Sequence, residues 1–236
     1  MVGVEIGLDP GFKTYWRNPG ESGLPPSFDW SGSNNVAAVE VLWPAPARFE
    51  DASGVSYGYS GSIVLPVRVA TRDARQAIEL RLRLEYGVCK EICIPAQAEL
   101  GVTIRPDASS AFEASVAAAL ARVPKPRPLG TEGELAILRV EPIITGAKPA
   151  LSVTLRGPAK TSLFVEAPEG WFLMARESAN SAQHTVAEPL PSRTIHVDIL
   201  ERPRDATGPI ELRLTLAAGD QAIETLASLD SARLPR

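Results

Sequence analysis

The sequence contains two cysteines, Cys89 and Cys93, and their close spacing makes them the residues best suited to chemistry. Residues four apart on a straight β-strand are separated by about 13 Å, whereas a disulfide needs Cα atoms about 4.4–6.8 Å apart. The two sulfurs can therefore pair only if the chain turns sharply at residues 90–92. An accessible cysteine pair is suited to thiol–disulfide exchange, in which a thiolate attacks the disulfide of another protein.

Two other interpretations of the cysteine pair stay open on the sequence alone. A disulfide across such a short loop would be a weak structural staple, because the stabilisation grows with loop length. A reduced pair could instead bind Cu(I), with a histidine or methionine as a further ligand. Those residues are few and distant in sequence: His184, His196, Met1 and Met174. A closed zinc site with four protein ligands would have to take them from both predicted domains. For the exchange reaction itself we expect no metal or other cofactor.

The segment around the cysteines has the clearest periodicity in the chain. Apolar residues alternate with polar ones over residues 78–88, and the alternation resumes over residues 94–104. A period of two predicts half-buried strands, and two such strands around a brief connection predict a β-hairpin. Cys89 and Cys93 are each one residue out of phase with the neighbouring apolar set. We therefore expect both thiols to lie off the core face, near the surface.

The electrostatic and aromatic surroundings of the pair are less informative. Lys90 is the nearest cation in sequence, and Glu91 offsets its charge. This pattern predicts no strong lowering of the thiol pKa, so we expect selectivity to depend on the fit with a partner protein. Tyr15, Trp16 and Trp30 are predicted to pack at one end of the first domain.

The rest of the chain predicts an all-β protein with two domains. The 21 prolines and 18 glycines among 236 residues are typical of many short strands joined by turns. We place a redox domain at residues 1–124 and a second β-sandwich domain at residues 130–236. Residues 110–122 have helical spacing after a capping box and predict a short helix. The alternate prolines that follow predict a stiff linker. Other predicted strands are 1–8, 36–43, 63–69, 135–141, 150–156, 162–167, 193–200 and 209–217.

Composition argues against several functions. The net charge is −4 and the basic residues are scattered, which disfavours nucleic acid as a partner. No apolar run reaches the ~18 residues of a membrane span, so we expect no direct membrane insertion of this fragment. The N-terminus has no signal-peptide pattern and reads like the middle of a strand, as if cut from a longer protein. We find no nucleophile elbow and no phosphate-binding glycine loop.

Several motifs, in this order, resemble a known family. They are KTYWRNPG at 13–20, GLPP at 23–26, FDWSGS at 28–33, LWPAP at 42–46, and the YGVC and CIPA segments that carry the cysteines. Together they resemble the periplasmic amino-terminal region of the DsbD/ScsB family of thiol:disulfide interchange proteins, over about residues 8–125. The segment LFVEAPEG at 163–170 is similar to the second periplasmic domain of the ScsB branch, which is linked to copper tolerance.

The resemblance implies an immunoglobulin-like sandwich for each domain and a place in the periplasm, as the soluble part of an inner-membrane protein. It further implies that the pair accepts electrons from a membrane-embedded domain and a thioredoxin-like domain of the same polypeptide. The pair would pass them to periplasmic thioredoxin-like proteins, which makes the fragment a component of a protein-disulfide reductase. The alternative is a Cu(I)-binding module that uses the same two cysteines.

The resemblance also implies roles for single residues. Cys93 matches the cysteine that forms the mixed disulfide with partners, and Cys89 the one that resolves it. Residues 50–60 match the loop that caps the disulfide, so Tyr57 and Tyr59 are predicted to shield the sulfurs. The three-residue spacer between the cysteines resembles the ScsB branch. Ser56 stands where the best-known DsbD member has an aromatic residue.

Overall fold

The computed structural model describes residues 1–107, 110–143, 149–176 and 192–234. The chain divides into two compact units, Met1–Val123 and Pro124–Arg236. Both are built almost entirely of β-strands, with one short α-helix, so the prediction of an all-β, immunoglobulin-like fold is confirmed. Among the described residues, no helix has the length and apolar character needed to cross a membrane.

The first unit contains nine strands and the helix. Their bounds are β1 (Val2–Gly7), β2 (Lys13–Gly20), β3 (Ser27–Asp29), β4 (Val36–Val41), β5 (Ala47–Asp51), β6 (Gly54–Ser60), β7 (Ser62–Thr71), β8 (Ile78–Cys89), β9 (Cys93–Ile104) and α1 (Glu113–Ala121). One sheet has the order β1-β7-β4. The other has the order β3-β8-β2-β6-β5, with β9 paired to β8. Strand β9 follows one edge of β8 along its whole length, while β3 and β2 share the opposite edge.

Alternating burial on both sheets builds the core of this unit. The buried apolar side chains on β1, β7 and β8 are Val4, Ile6, Ile63, Leu65, Val67, Leu80, Leu82 and Leu84. Each such side chain stabilises the fold by about 1.5–3 kcal/mol when it is fully removed from water. The predicted hairpin of residues 78–88 and 94–104 is present as β8 and β9, in continuous antiparallel register.

Two strands that position the site, β2 and β6, are not among the strands predicted from the sequence. Three successive residues of β2 and five of β6 are buried. A strand covered on both faces shows no alternation of polar and apolar residues, so the period-two signal is missing. The turn-forming residues Asn18, Pro19 and Gly20 at the end of β2 also favour a loop over a strand in sequence-based prediction.

The predicted short helix is present as α1, but its predicted capping box and the proline-rich stretch depart from expectation. Helix α1 begins at Glu113, because Ser110 does not act as its N-cap: its hydroxyl accepts a hydrogen bond from the Phe112 amide at 3.1 Å, before the first helical turn. The proline-rich stretch includes strand β10 (Lys125–Pro126), which pairs in parallel with residues 223–224. These residues thus belong to the sheet of the second unit.

In the described residues, the second unit contains two four-stranded sheets. Its further strands are β11 (Ala136–Ile143), β12 (Ala150–Arg156), β13 (Ser162–Glu166), β14 (Phe172–Ala175), β15 (Ser192–Glu201), β16 (Pro209–Ala218) and β17 (Gln221–Asp230), followed by a 3-10 turn at Ser231–Arg233. The sheet orders are β10-β17-β16-β13 and β11-β12-β15-β14. One apolar cluster, with Leu155 and Leu214 fully buried, joins both sheets. Strands β14 and β17 were not predicted.

Candidate redox site

The two cysteines lie at the closed end of the β8–β9 hairpin. Cys89 and Cys93 are directly opposite each other in the register, and residues 90–92 form the connection. Their sulfurs are joined in a disulfide, with the Cα atoms 4.1 Å apart. The turn that the sequence required for pairing is therefore present.

The two cysteine residues differ in their exposure to solvent, which corrects the prediction that both lie near the surface. Cys93 is exposed, as expected, but Cys89 is 1% exposed. The reason is that the buried face of β8 changes along the strand. Leu80, Leu82 and Leu84 are buried on one face, whereas near the end of the strand the buried residues, at positions 87 and 89, lie on the other face. The face that carries Cys89 is solvent-exposed along most of β8, but it is covered at the end by a side chain from β2.

That side chain is Tyr15, the residue that sequence reasoning assigned to ordinary packing. Its hydroxyl oxygen lies 2.8 Å from Sγ of Cys89 and 3.0 Å from Sγ of Cys93. Because disulfide sulfurs have no proton, the tyrosine hydroxyl is the donor in both contacts. Burial, and to a smaller extent the negative charge of Asp51, raises the pKa of Tyr15 above its ordinary value of 10.0. The hydroxyl therefore keeps its proton at neutral pH.

Glycines create the space that the Tyr15 ring occupies. A Cβ atom on Gly23 would lie 2.6 Å from the ring, and one on Gly87 would lie 3.1 Å from it. The backbone next to the ring is fixed as well, because the Thr14 hydroxyl donates to the carbonyl of Gly87 at 2.9 Å. The strand on the other side, β6, approaches so closely that a Cβ on Gly58 would lie 2.0 Å from the carbonyl oxygen of Thr14.

A lysine also lies next to Cys89, although it is 76 positions away in sequence. Lys13 pairs with Cys89 in the β2–β8 register. Its ammonium donates to Asp51 at 2.7 Å and to the Ser56 hydroxyl at 2.9 Å, and it lies 5.5 Å from the centre of the Phe49 ring. The hydrogen bond from Lys13, together with one from the Ser53 amide, lowers the pKa of Asp51. The positive charge is thus paired with a carboxylate on the β5–β6 hairpin.

The cation predicted from sequence has a different contact. The ammonium of Lys90 lies 5.7 Å from the centre of the Phe12 ring, and a Cβ atom on Gly11 would lie 3.2 Å from its Cε. In the described part of the chain, the polar contacts to the two sulfurs come from the neutral hydroxyl of Tyr15.

Tyr57 and Tyr59, the predicted shielding residues, are buried on β6. Gly58 pairs with Tyr15 across the β2–β6 ladder. Because side chains alternate along a strand, Tyr57 and Tyr59 lie on the face opposite to that of Tyr15. The Tyr59 hydroxyl donates to the carbonyl of Pro44 at 2.7 Å. Shielding of the sulfurs by these two tyrosines stays a prediction, whereas Tyr15 contacts both sulfurs directly.

The copper alternative gains no ligand set from the described part of the chain. Within it, no group of three or more His, Cys, Asp or Glu side chains is arranged to hold a metal ion. His196 and Met174 lie on β15 and β14 of the second unit, and His184 lies outside the described residues. Cu(I) binding by the reduced cysteines stays a prediction.

Residues 1–103 match the family described as thiol:disulfide interchange protein DsbD, N-terminal. The first unit is therefore similar to the DsbD amino-terminal family over most of its length, and this similarity supports thiol–disulfide interchange as its general activity. No curated protein sequence matches the chain.

A solved structure extends the similarity beyond the first unit. The chain is similar to the crystal structure of the N-terminal periplasmic domain of ScsB from Proteus mirabilis, with a TM-score of 0.73 and 22% sequence identity. The match covers 97% of this chain and 86% of that one. At this identity the similarity concerns the fold, and it includes the second unit, which the family match does not reach.

Proposed function

We propose that this chain exchanges electrons with partner proteins through the Cys89–Cys93 pair, and that Cys93 is the sulfur that partners attack. The observation that carries the proposal is the difference in exposure between the two bonded cysteine residues: Cys93 is exposed and Cys89 is buried. Thiol–disulfide exchange depends on which sulfur can be reached. A nucleophile approaches along the S–S axis from the side opposite the leaving sulfur. Attack on Cys93, with Cys89 as the leaving group, requires no displacement of the core.

The reaction in the reducing direction has two steps. The thiolate of Cys93 attacks a partner's disulfide, so that a mixed disulfide forms and the partner's other sulfur leaves as a thiolate, which takes up a proton. The thiolate of Cys89 then attacks the Cys93 sulfur. The internal disulfide forms again, and the partner leaves with both cysteines reduced. Two electrons and two protons pass to the partner, and the reverse sequence reloads the pair.

Tyr15 supports both steps by donating a hydrogen bond to whichever sulfur carries the negative charge. Its hydroxyl already lies within 3.0 Å of both sulfurs, and its raised pKa keeps it a donor. A hydrogen bond to a charged group is about twice as strong as a neutral one. Tyr15 therefore lowers the cost of a buried thiolate on Cys89, where desolvation opposes charge.

The cellular role that we propose follows the family resemblance. The chain would act in the periplasm as the soluble part of an inner-membrane protein. It would pass reducing equivalents from the membrane-embedded and thioredoxin-like domains of its own polypeptide to periplasmic thioredoxin-like proteins. The match of residues 1–103 to the DsbD amino-terminal family supports this assignment, as does the fold shared with a periplasmic domain of ScsB.

Trapping of the mixed disulfide tests the roles of the two cysteines. The Cys89→Ala variant keeps the accessible sulfur and lacks the resolving one, so it should accumulate a covalent complex with an oxidised thioredoxin-like protein. The Cys93→Ala variant should accumulate little. Non-reducing gel electrophoresis and mass spectrometry measure both. The reverse pattern would exchange the two roles, and equal trapping by both variants would show that access does not select the sulfur.

A further inference from the structure

Strand β9 has an apolar face that is exposed to solvent. Leu80 and Leu82 are buried on the core face of β8. Their register partners on β9 lie on the same face, but Leu100 is 50% exposed and Val102 is 53% exposed. The cover over this face of the sheet therefore ends between β8 and β9. A long exposed edge strand with an apolar face is a template for pairing with another strand.

The backbone groups on the outer edge of β9 are placed for such pairing. Among the described residues, β8 is the one strand that pairs with β9. On the edge of β8 that faces away from β9, the Glu79 amide donates to the Asn34 carbonyl at 3.2 Å, and the Asn34 amide donates to the Glu79 carbonyl at 2.8 Å. Residues directly opposite in an antiparallel pair exchange both hydrogen bonds or none. Thr103, the partner of Glu79, therefore directs its amide and carbonyl outwards, and the alternation gives Gly101 and Glu99 the same direction.

We propose that β9 pairs antiparallel with β9 of a second copy of this chain, about a two-fold axis through Val102. This register places Glu99 directly opposite Arg105 of the second copy, and Gly101 opposite Thr103. Both charged residues are exposed, and the symmetry forms the ion pair twice. Glu99 already lies 3.6 Å from Arg83 of its own chain, so its carboxylate would lie between two guanidinium groups.

The neighbouring registers lack this charge complementarity. An axis one residue earlier places Glu99 opposite Thr103, which is uncharged. An axis one residue later places it opposite Asp107, which carries the same charge. Like charges directly opposite each other on a sheet are destabilising, so the charges of the strand select the axis at Val102.

The same register joins the two apolar faces. Val102 meets its own copy, and Leu100 lies opposite Ile104 of the second copy, so these side chains remove one another from water and favour association. Cys93 is nine residues from the axis, about 30 Å along the strand. The two disulfides therefore lie at opposite ends of the joined sheet, and each stays open to an exchange partner. The pairing is thus independent of the exchange reaction.

Charge reversal on the full chain tests the pairing, with sedimentation velocity as the measurement. The wild type should dimerise with a micromolar dissociation constant, because one strand pair is a small interface. Glu99→Arg and Arg105→Glu each place like charges opposite each other twice, so each should raise the dissociation constant at least about tenfold. An equimolar mixture of the two variants should form a heterodimer, in which both charge pairs are opposite in sign.

The mixture also shows that both variants are folded, because an unfolded chain would not restore the dimer. Glu211→Arg is the matched control: it makes the same charge change at an exposed strand position of the second unit and should dimerise like the wild type. A wild-type chain that stays monomeric up to millimolar concentration would overturn the proposal and leave the edge to another protein. A dimer that Glu99→Arg does not weaken, or a mixture that stays monomeric, would overturn it too. All variants should be reduced by dithiothreitol at the wild-type rate, so failure of the pairing is distinguishable from failure of the proposed function.

Discussion

Replacement of Tyr15 by phenylalanine tests the chemistry of the site most directly. The ring would still fill its slot between Gly23 and Gly87, but the hydroxyl that lies 2.8 Å and 3.0 Å from the two sulfurs would be lost. In the oxidised chain the loss is small, because a disulfide sulfur is a weak acceptor. In the reduced chain the same hydroxyl donates to a thiolate, so the effect of the substitution should depend on the redox state.

The structure sets the expected size of this effect. A hydrogen bond to a charged group contributes about 1.5–3 kcal/mol, and one pKa unit corresponds to 1.36 kcal/mol. Loss of the Tyr15 hydroxyl should therefore raise the lower thiol pKa of the reduced chain by about 1–2 units. With a Brønsted coefficient near 0.5 for thiol exchange, the rate of exchange at neutral pH should fall about three- to tenfold. Thermal unfolding of the oxidised chain should change by less than about 1 kcal/mol.

The assay is the rate of alkylation of the reduced chain as a function of pH, for the wild type and for Tyr15→Phe. Tyr86→Phe is the matched control: Tyr86 lies on β8, three residues from Cys89, and pairs with Ala96 on the face opposite to the disulfide. It should leave the thiol pKa unchanged. An unchanged thiol pKa in Tyr15→Phe would refute the role of the hydroxyl, and an equal shift in Tyr86→Phe would show that the effect is not specific to it.

Three further predictions concern the scaffold of the site. Gly58→Ala places a Cβ atom 2.0 Å from a backbone carbonyl of β2. It should lower the free energy of unfolding of the first unit by roughly 3 kcal/mol in chemical denaturation. A decrease under about 1 kcal/mol would mean that β2 and β6 can move apart at little cost. The pKa of Asp51 is lowered from its ordinary 3.8, chiefly by Lys13. Its contribution to stability is thus present above that value and lost as the pH falls through the lowered pKa. Asp51→Asn should flatten the acid side of the stability profile, and a parallel profile would contradict the pairing. A fragment of residues 1–123 should fold alone and be reduced by thioredoxin as fast as the full chain; a slower reaction would give the second unit a part in docking.

The hairpin and the turn between the cysteines follow from local sequence. The alternation on either side of Cys89 and Cys93 predicted β8 and β9, and the distance limit on a disulfide required the turn. Strands of the second unit with clear alternation, such as β12 and β16, were predicted for the same reason. These features depend on residues close together in the chain, so their pattern is visible in one dimension.

Tyr15 and Lys13 show why the rest of the site could not be predicted in this way. They come from β2, whose consecutive buried residues give no periodic signal, and Tyr15 is 74 residues from Cys89. A possible signal was present in Gly23 and Gly87, which leave room for a large ring, but the sequence does not say which ring fills it.

The sequence by itself determined that two cysteines flank the connection of a β-hairpin, because the alternation of residues stops just before Cys89 and resumes just after Cys93. The tertiary structure decided which sulfur is buried and which is accessible, and placed the Tyr15 hydroxyl beside both. The physical reason is that the alternation of residues along a strand shows which side chains share a face. The residues that pack on each face come from strands distant in sequence. At the end of β8 that cover is β2, and it lies on the face that is solvent-exposed along the rest of the strand.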